Sequence, residues 1–281
     1  AGYMLKTQAN PGYLDLVEIN NFKYDIIDDL VKKCSICINL VGILYETKKN
    51  RFEAIHRDLP DMLSKISHKH KIEKFIHISA LGNEKAVDSK YAVSKLQGEA
   101  KVINNFENSI ILKPSIVYSI DDNFTTNFMT LLSRLPVMPL YYKGKTKFSP
   151  IHVNDIVNII FRIINSKNKL SVIECIGPEV LTFKKIIITL LESMNKRRLL
   201  LPLPLPIANI SAKILQLFPK PLLTEDQLRL LKYDNIKTGM HKTNQDLNLN
   251  ADRIFKVEID KYSYNWRSGG QFARKVNLKN D

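Results

Sequence analysis

The sequence predicts an α/β fold built on a parallel sheet with helices on both faces, and three observations carry that reading. Short apolar runs recur at residues 36–41, 75–79 and 109–113. The stretches between them are long enough for crossovers and carry apolar residues at helical spacing. A chain of 281 residues, 44% hydrophobic and 25% charged, has an ordinary globular composition and enough length to bury a large core.

In order along the chain, residues 13–19 (Tyr-Leu-Asp-Leu-Val-Glu-Ile) alternate in polarity and read as a strand. A helix over 25–33, a buried strand over 36–41 and a long amphipathic helix over 50–69 follow. The run 75–79 is a strand ending in Ser79, the next helix extends to about residue 102, and 109–113 is a further strand. From about residue 121 the character changes to helix 124–133, a Pro-rich loop, strand 148–152, helix 154–164, strand 172–176 and helix 183–195. We therefore divide the chain into a sheet domain, residues 1–120, and a smaller mixed lobe, 121–281, partly packed back on the first. Pro202, Pro204 and Pro206 forbid a helix at the front of the apolar stretch 199–217, and helical spacing resumes after Ala208.

Lys and Arg number 42 against 28 Asp and Glu, a net charge of +14 that favours acidic partners of any kind. The basic residues are scattered and lack both interleaved aromatics and zinc-finger spacing, which excludes nucleic acid as the partner. Cys34, Cys37 and Cys175 cannot make a disulfide framework and imply a reducing compartment. Cys34 and Cys37 spell C-x-x-C, but no second pair follows and the segment runs into an apolar strand, so both are expected to be buried as small hydrophobes. The six histidines show no ligand spacing and no metal is expected. No apolar run is long enough for a transmembrane helix. The stretch 199–218, beside Lys196, Arg197 and Arg198, reads either as a surface touching lipid or a partner subunit, or as a buried loop and core helix.

The chemistry is concentrated in Tyr91-x-x-x-Lys95, which follows the strand ending at Ser79. At i and i+4 of a helix the phenol and the ammonium share one face and form a proton-transfer pair. A neighbouring ammonium stabilises phenolate, so the Tyr91 pKa is expected below its ordinary value of about 10. Two surface residues on an ordinary helix would carry the same spacing.

Six features stand in a telling order: Asn39-Leu40-Val41-Gly42 after a strand, Ser79 ending the next, Tyr91-x-x-x-Lys95, Lys113-Pro114-Ser115-Ile116-Val117-Tyr118, His152-Val153-Asn154-Asp155 and Gly177-Pro178-Glu179. In this order the chain resembles the extended and atypical short-chain dehydrogenase/reductase superfamily. Within it, Asn39 to Ile43 with Glu46, Glu73 to Ser79, residues 122–128 and the Leu/Pro run ending at Pro206 are similar to the NADPH-binding accessory subunits of respiratory complex I and their bacterial epimerase/dehydratase-like relatives.

The resemblance implies a Rossmann-like doubly wound sheet lacking its first strand–Gly-loop–helix unit, because no G-x-x-G-x-x-G turn is present. It implies binding of NADP(H) or NAD(H), conditional on that turn being supplied. It places Asn20 against the adenine, Asn39, Leu40, Val41 and Gly42 along the adenine ribose, and Ile78 and Ser79 beside the nicotinamide. Lys95 is placed on the ribose hydroxyls, and Lys113, Pro114, Ser115 and Ile116 over the carboxamide. Ser79, Tyr91 and Lys95 would be the catalytic set, although extended members place the catalytic hydroxyl two positions later, where this chain has Leu81. Two functions follow: an accessory NAD(P)H-binding subunit of complex I without turnover, or a free-standing NAD(P)-dependent epimerase or reductase. The first implies other complex I subunits as partners, peripheral membrane contact and the matrix side of the mitochondrial inner membrane, or the cytoplasmic face of a bacterial membrane.

Overall fold

The computed structural model describes residues 12–166, 171–216, 221 and 223–272, with isolated positions before residue 12. In chain order, α1 (Tyr24–Val31) precedes β1 (Ile36–Asn39), and a π-helical turn (Glu53–Asp58) runs into α2 (Leu59–Lys69). β2 (Lys74–Ile78), α3 (Lys90–Asn105) and β3 (Ser109–Pro114) complete the first half. The second half contains β4 (Val117–Tyr118), α4 (Thr125–Arg134), β5 (Val137–Leu140), β6 (Lys147–Phe148), β7 (Ile151–His152), α5 (Val153–Asn165) and β8 (Val172–Cys175). After these come β9 (Leu181–Thr182), α6 (Phe183–Ser193), β10 (Leu199–Pro202), α7 (Leu205–Leu215), α8 (Glu225–Leu230), β11 (Lys242–Thr243) and α9 (Phe255–Tyr262).

The central sheet has the order β1-β2-β3-β8-β11, and every pairing in it is parallel. Successive side chains of a strand point to opposite faces, so a sheet covered on both sides needs continuous apolar runs. Phe75 and Ile111 join Ile27, Leu59, Ile66 and Val102 under α1, α2 and α3. Ile76, Ile110 and Leu112 pack on the other face against Ile156, Ile159 and Ile163 of α5. This is the expected doubly wound architecture. A third core, around Tyr118, Met129, Phe148, Phe183, Leu190 and Phe255, fills the second half of the chain.

Four local expectations are corrected. Residues 13–19 form no strand, and Tyr13 is 85% exposed. The outer edge of β1 has no pairing strand among the described residues, and an extended segment without a ladder partner has nothing to hold it on the sheet. The strand expected over 148–152 is broken at Ser149-Pro150 into β6, antiparallel to β9, and β7, parallel to β4. Proline has no N–H to donate to a continuous ladder. Cys34 is exposed rather than buried, its thiol turned to the Leu30 carbonyl, while Cys37 is half-buried and Cys175 buried. Finally, α7 starts at Leu205, ahead of Pro206, because the first helical turn has no use for its N–H groups and tolerates proline. Of the prolines expected to forbid helix there, Pro202 ends β10, Pro204 lies in the connection and Pro206 is in this first turn, whereas Leu217 and Phe218 fall outside the described residues.

One close approach sets the position of α3. Pro60 has no N–H to return to the His56 carbonyl four residues back, and the helix widens into its π turn there. That turn lies directly on Gly98 of α3, where an added Cβ would stand 1.8 Å from the His56 carbonyl oxygen. Gly98→Ala therefore forces backbone apart and should cost about 1–3 kcal/mol, read as a lower urea midpoint at unchanged m-value. Unchanged stability in that variant would show that the two helices do not meet as described.

Candidate functional site

The first turn of α3 is tied down twice. Ser89 caps it by accepting from the Ala92 amide at 3.2 Å. Asp226, at the start of α8, accepts from Ser89 Oγ at 2.8 Å, the Lys90 amide at 2.8 Å and the Tyr91 amide at 3.0 Å. An anionic carboxylate at a helix N-terminus satisfies orphan amides and opposes the positive end of the dipole. From this turn Tyr91 and Lys95 project on one side of the helix toward the loop after β1. Lys95 Nζ donates to the Ile78 carbonyl at 3.1 Å and stands 3.4 Å from where a Cβ on Gly42 would be. The Tyr91 ring meets Phe52 and His56 edge-on, with centroids 5.8 and 5.2 Å away.

His56 fastens the loop to the helix. Its Nε2 accepts from the Ile43 amide at 3.1 Å, so its Nδ1–H donates to Ser94 Oγ at 3.0 Å, and the Ser94 hydroxyl donates in turn to the Tyr91 carbonyl at 2.8 Å. Beneath the loop, Asn39 Oδ1 accepts from the Val41 amide at 3.1 Å and its Nδ2 donates to His77 Nδ1 at 3.1 Å. That bond leaves the His77 proton on Nε2, which is buried and has no hydrogen-bond partner. Burial, with the Lys95 charge as a second cause, drives both imidazoles down to about 3, so both are neutral. Neither histidine was singled out from sequence. His56 lies in an unremarkable amphipathic run and His77 inside a strand, and only the crossing of α3 brings them together.

Ser79 and Lys113 belong to a separate buried network. The Ser79 hydroxyl donates to Glu99 Oε1, Lys113 Nζ bonds Glu99 Oε2 at 3.0 Å, and Lys113 also pairs with Glu84. Lys113 is 1% exposed; burial pulls its pKa down, but Glu99 and Glu84 outweigh burial and hold it above the ordinary lysine value. The segment from Thr224 to Asn235 closes over the neighbouring loop. Asn235 Nδ2 donates to the Leu81 carbonyl, the Ser115 hydroxyl donates to Asn235, and Arg229 reaches the Asp88 carbonyl at 3.3 Å. Pro114 is buried, its carbonyl accepting from the Leu81 amide at 2.9 Å, and Ile116 turns to the second-half core. Leu40 is 68% exposed, Val41 and Gly42 are also exposed, and Asn20 lies on the surface away from any described hydrogen bond of the cluster.

The structure thus gathers Asn39, Gly42, Ile78, Tyr91 and Lys95 into one cluster at the carboxyl ends of β1 and β2. It turns the side chains of Ser79, Lys113 and Ser115 into internal bonds. The expected lowering of the Tyr91 pKa is reversed: burial, then the Asp226 charge, pushes it up to about 12. The ammonium that was to lower it is itself desolvated, and burial brings Lys95 down to about 8 against the pull of Glu99. What the cluster offers chemically is a set of hydrogen-bond donors. Backbone approach is open at Gly42, the Lys95 ammonium has donors beyond its one bond to Ile78, and the buried His77 N–H is unpaired beneath the loop.

No protein-family model matches the chain. It is similar to NADH dehydrogenase (ubiquinone) 1 alpha subcomplex subunit 9, mitochondrial, of Arabidopsis thaliana, at 24% identity over 94% of this chain and 70% of that protein. The subunit of the same name from Mus musculus is 26% identical over 83% of this chain and 62% of that protein. The mitochondrial NADH-ubiquinone oxidoreductase 40 kDa subunit of Neurospora crassa is 22% identical over 93% and 68%. Among solved structures, UDP-glucuronic acid 4-epimerase from Bacillus cereus, in complex with UDP-glucuronic acid and NAD, superposes with a TM-score of 0.65 at 16% identity, covering 94% of this chain and 85% of that one. The dTDP-4-dehydrorhamnose reductase of Bacillus anthracis, in complex with NADP, gives 0.60 at 14% identity over 88% and 92%. The structural likenesses establish the Rossmann-like α/β fold, and the sequence relatives bear out the resemblance to complex I accessory subunits.

Two titrations check the electrostatics. With ring-labelled tyrosine, the Tyr91 carbon resonance should remain that of a phenol through about pH 10, where a free tyrosine is half ionised, and its midpoint should fall in Asp226→Asn. A phenolate near neutrality would contradict the geometry. Lys95 is held down in the folded state, so between about pH 8 and the unfolded value of 10.5 the unfolded chain binds more protons and stability rises with pH. Relative to wild type, Lys95→Met should lack that rise, worth on the order of 3 kcal/mol in total, in denaturation midpoints across the window.

Proposed function

We propose that the chain is an accessory, NAD(P)H-binding subunit of respiratory complex I, on the matrix side of the mitochondrial inner membrane, in which the dinucleotide has a structural role and nothing is turned over. Support for the assembly comes from the relatives, which carry complex I subunit names and mitochondrial origin. The observation that carries the absence of turnover is the closure of the substrate side. Ser79 is bound to Glu99, the loop holding Leu81 lies under Asn235, and Tyr91 remains a phenol to about pH 12. A general acid or base working near neutral pH needs a pKa near that pH.

In this reading residues 1–120 hold the dinucleotide and 121–281 form the docking lobe. Lys95 takes the ribose hydroxyls, Asn39 to Gly42 line the adenine ribose and Asn20 approaches the adenine. Ile78 flanks the nicotinamide, while Lys113 acts through Glu99, leaving backbone of residues 114–116 toward the carboxamide. Binding is conditional on a Gly-rich turn beside the outer edge of β1, where its amides would meet the pyrophosphate. No helix among the described residues is long and apolar enough to cross a membrane. Peripheral contact is supported by the face of β10 and α7, where Leu199, Leu201, Leu205, Ile207 and Ile210 are exposed beside Arg197 and Lys213.

The alternative of a free-standing epimerase or reductase draws on the Tyr91–Lys95 pair and on the nucleotide-sugar enzymes that share the fold. Size separation of gently solubilised mitochondrial membranes decides between them. The chain is expected in a large NADH-oxidising assembly; migration near its own 32.3 kDa, with NAD(P)-dependent turnover of a nucleotide sugar, would overturn the proposal.

A further inference from the structure

β5 and β10 form a parallel pair in which Leu199 lies beside Val137 and Leu201 beside Pro139. Side chains two apart on a strand share a face. One face of the pair belongs to the core, where Met138 and Leu140 are buried and Leu200 packs against the same cluster. The other face is open, and a sheet with one solvated face ordinarily turns polar residues to water. Here Val137, Leu199 and Leu201 point outward, 37%, 57% and 43% exposed. α7, which follows β10, is reversed in the same way. Its inward positions are the small Ala208 and Ala212, packed with Tyr141 and Leu228, whereas Leu205, Ile207 and Ile210 are exposed. A surface helix ordinarily keeps its larger apolar residues for the core.

The segments that build this surface carry charge of one sign. Residues 123–154 and 193–224, which supply β5, β10 and α7, contain four and five Lys or Arg and no Asp or Glu, in a chain with 28 acidic residues. Arg134 and Arg197 are exposed and form no ion pair among the described residues, while Lys213 stands 3.9 Å from Glu225. Both arginines flank one end of the strand pair, where the Leu199 amide donates to the Pro136 carbonyl at 3.1 Å. Protein interfaces favour aromatic anchors and fix their register with charges of both signs. An anionic bilayer is met by aliphatic side chains that enter the acyl boundary and by cations at the headgroups. The geometry points to β5, β10 and α7 as a composite face that seats on a bilayer containing anionic phospholipid, with Leu199, Leu201, Ile207 and Ile210 entering the interface and Arg134 and Arg197 on the phosphates. This inference rests on the peripheral contact proposed above and names its partner as lipid, not another subunit.

Flotation of the purified full chain with lipid vesicles tests it. Partition onto phosphatidylcholine vesicles containing about one phosphatidylglycerol in four should exceed partition onto phosphatidylcholine alone by about tenfold or more, and the excess should shrink at high salt. Arg134→Gln combined with Arg197→Gln should lower partition onto the anionic vesicles about tenfold, and Leu199→Ser combined with Leu201→Ser should lower it by about the same factor. Thermal melts verify that both variants fold, and Ile207→Ser with Ile210→Ser, on a different element, repeats the apolar test should the strand variant melt early. Lipid is set against a protein partner by a photo-crosslinking benzoylphenylalanine at Leu201 in native membranes, which should give phospholipid adducts. Equal or absent partition on the two kinds of vesicle, partition indifferent to the substitutions, or a protein segment in place of the lipid adduct would each overturn the inference. Size separation of solubilised membranes reads the assembly independently. A chain within the large assembly that ignores anionic vesicles refutes the lipid face alone, whereas a chain that binds them but migrates free refutes the complex I reading.

Discussion

The placement of α3 is the constraint on which the cluster around Tyr91 and Lys95 depends. Its N-terminus is fixed by the Asp226 carboxylate and its middle by the contact of Gly98 with the π turn. Between these two points lie Tyr91 and Lys95. A helix displaced outward by a single methyl group would carry the ammonium away from Gly42 and break the chain of bonds from Ile43 through His56 and Ser94 to the Tyr91 carbonyl. Close packing transmits such displacements because interiors have little free volume to absorb them.

The same helix separates two electrostatic environments one turn apart. Lys95 faces neutral imidazoles and backbone, where its charge is only weakly supported, while Glu99 faces Lys113 and Ser79 and completes an internal ionic network. Buried ion pairs lose hydration that their mutual attraction only partly restores, so they contribute more to a unique arrangement than to net stability. Here that arrangement withdraws the serine hydroxyl and the lysine from ligand chemistry. It leaves a cluster poorly furnished for proton transfer near neutral pH, in line with the structural role proposed above.

Charge and surface fit the same picture. A net charge of +14 favours acidic partners, and the exposed Leu/Ile face of β10 and α7 lies beside basic residues.

The sequence by itself determined the parallel sheet, because continuous apolar runs such as 75–79 and 109–113 are stable only when both faces are covered. It also determined that Tyr91 and Lys95 share a helix face, since their spacing is a local property of the helix. What only the tertiary structure decided concerns residues distant in the chain. Burial, and then the charge of Asp226 far along the chain, hold Tyr91 as a phenol, and Lys113 finds Glu84 and Glu99 instead of a ligand. Residues 13–19 show the same limit from the other side: alternation prescribes which side chains could face a core, but a strand exists only where a neighbour completes its hydrogen bonds. Burial and pairing are properties of the assembled chain, and they decided which of the legible groups are free to act.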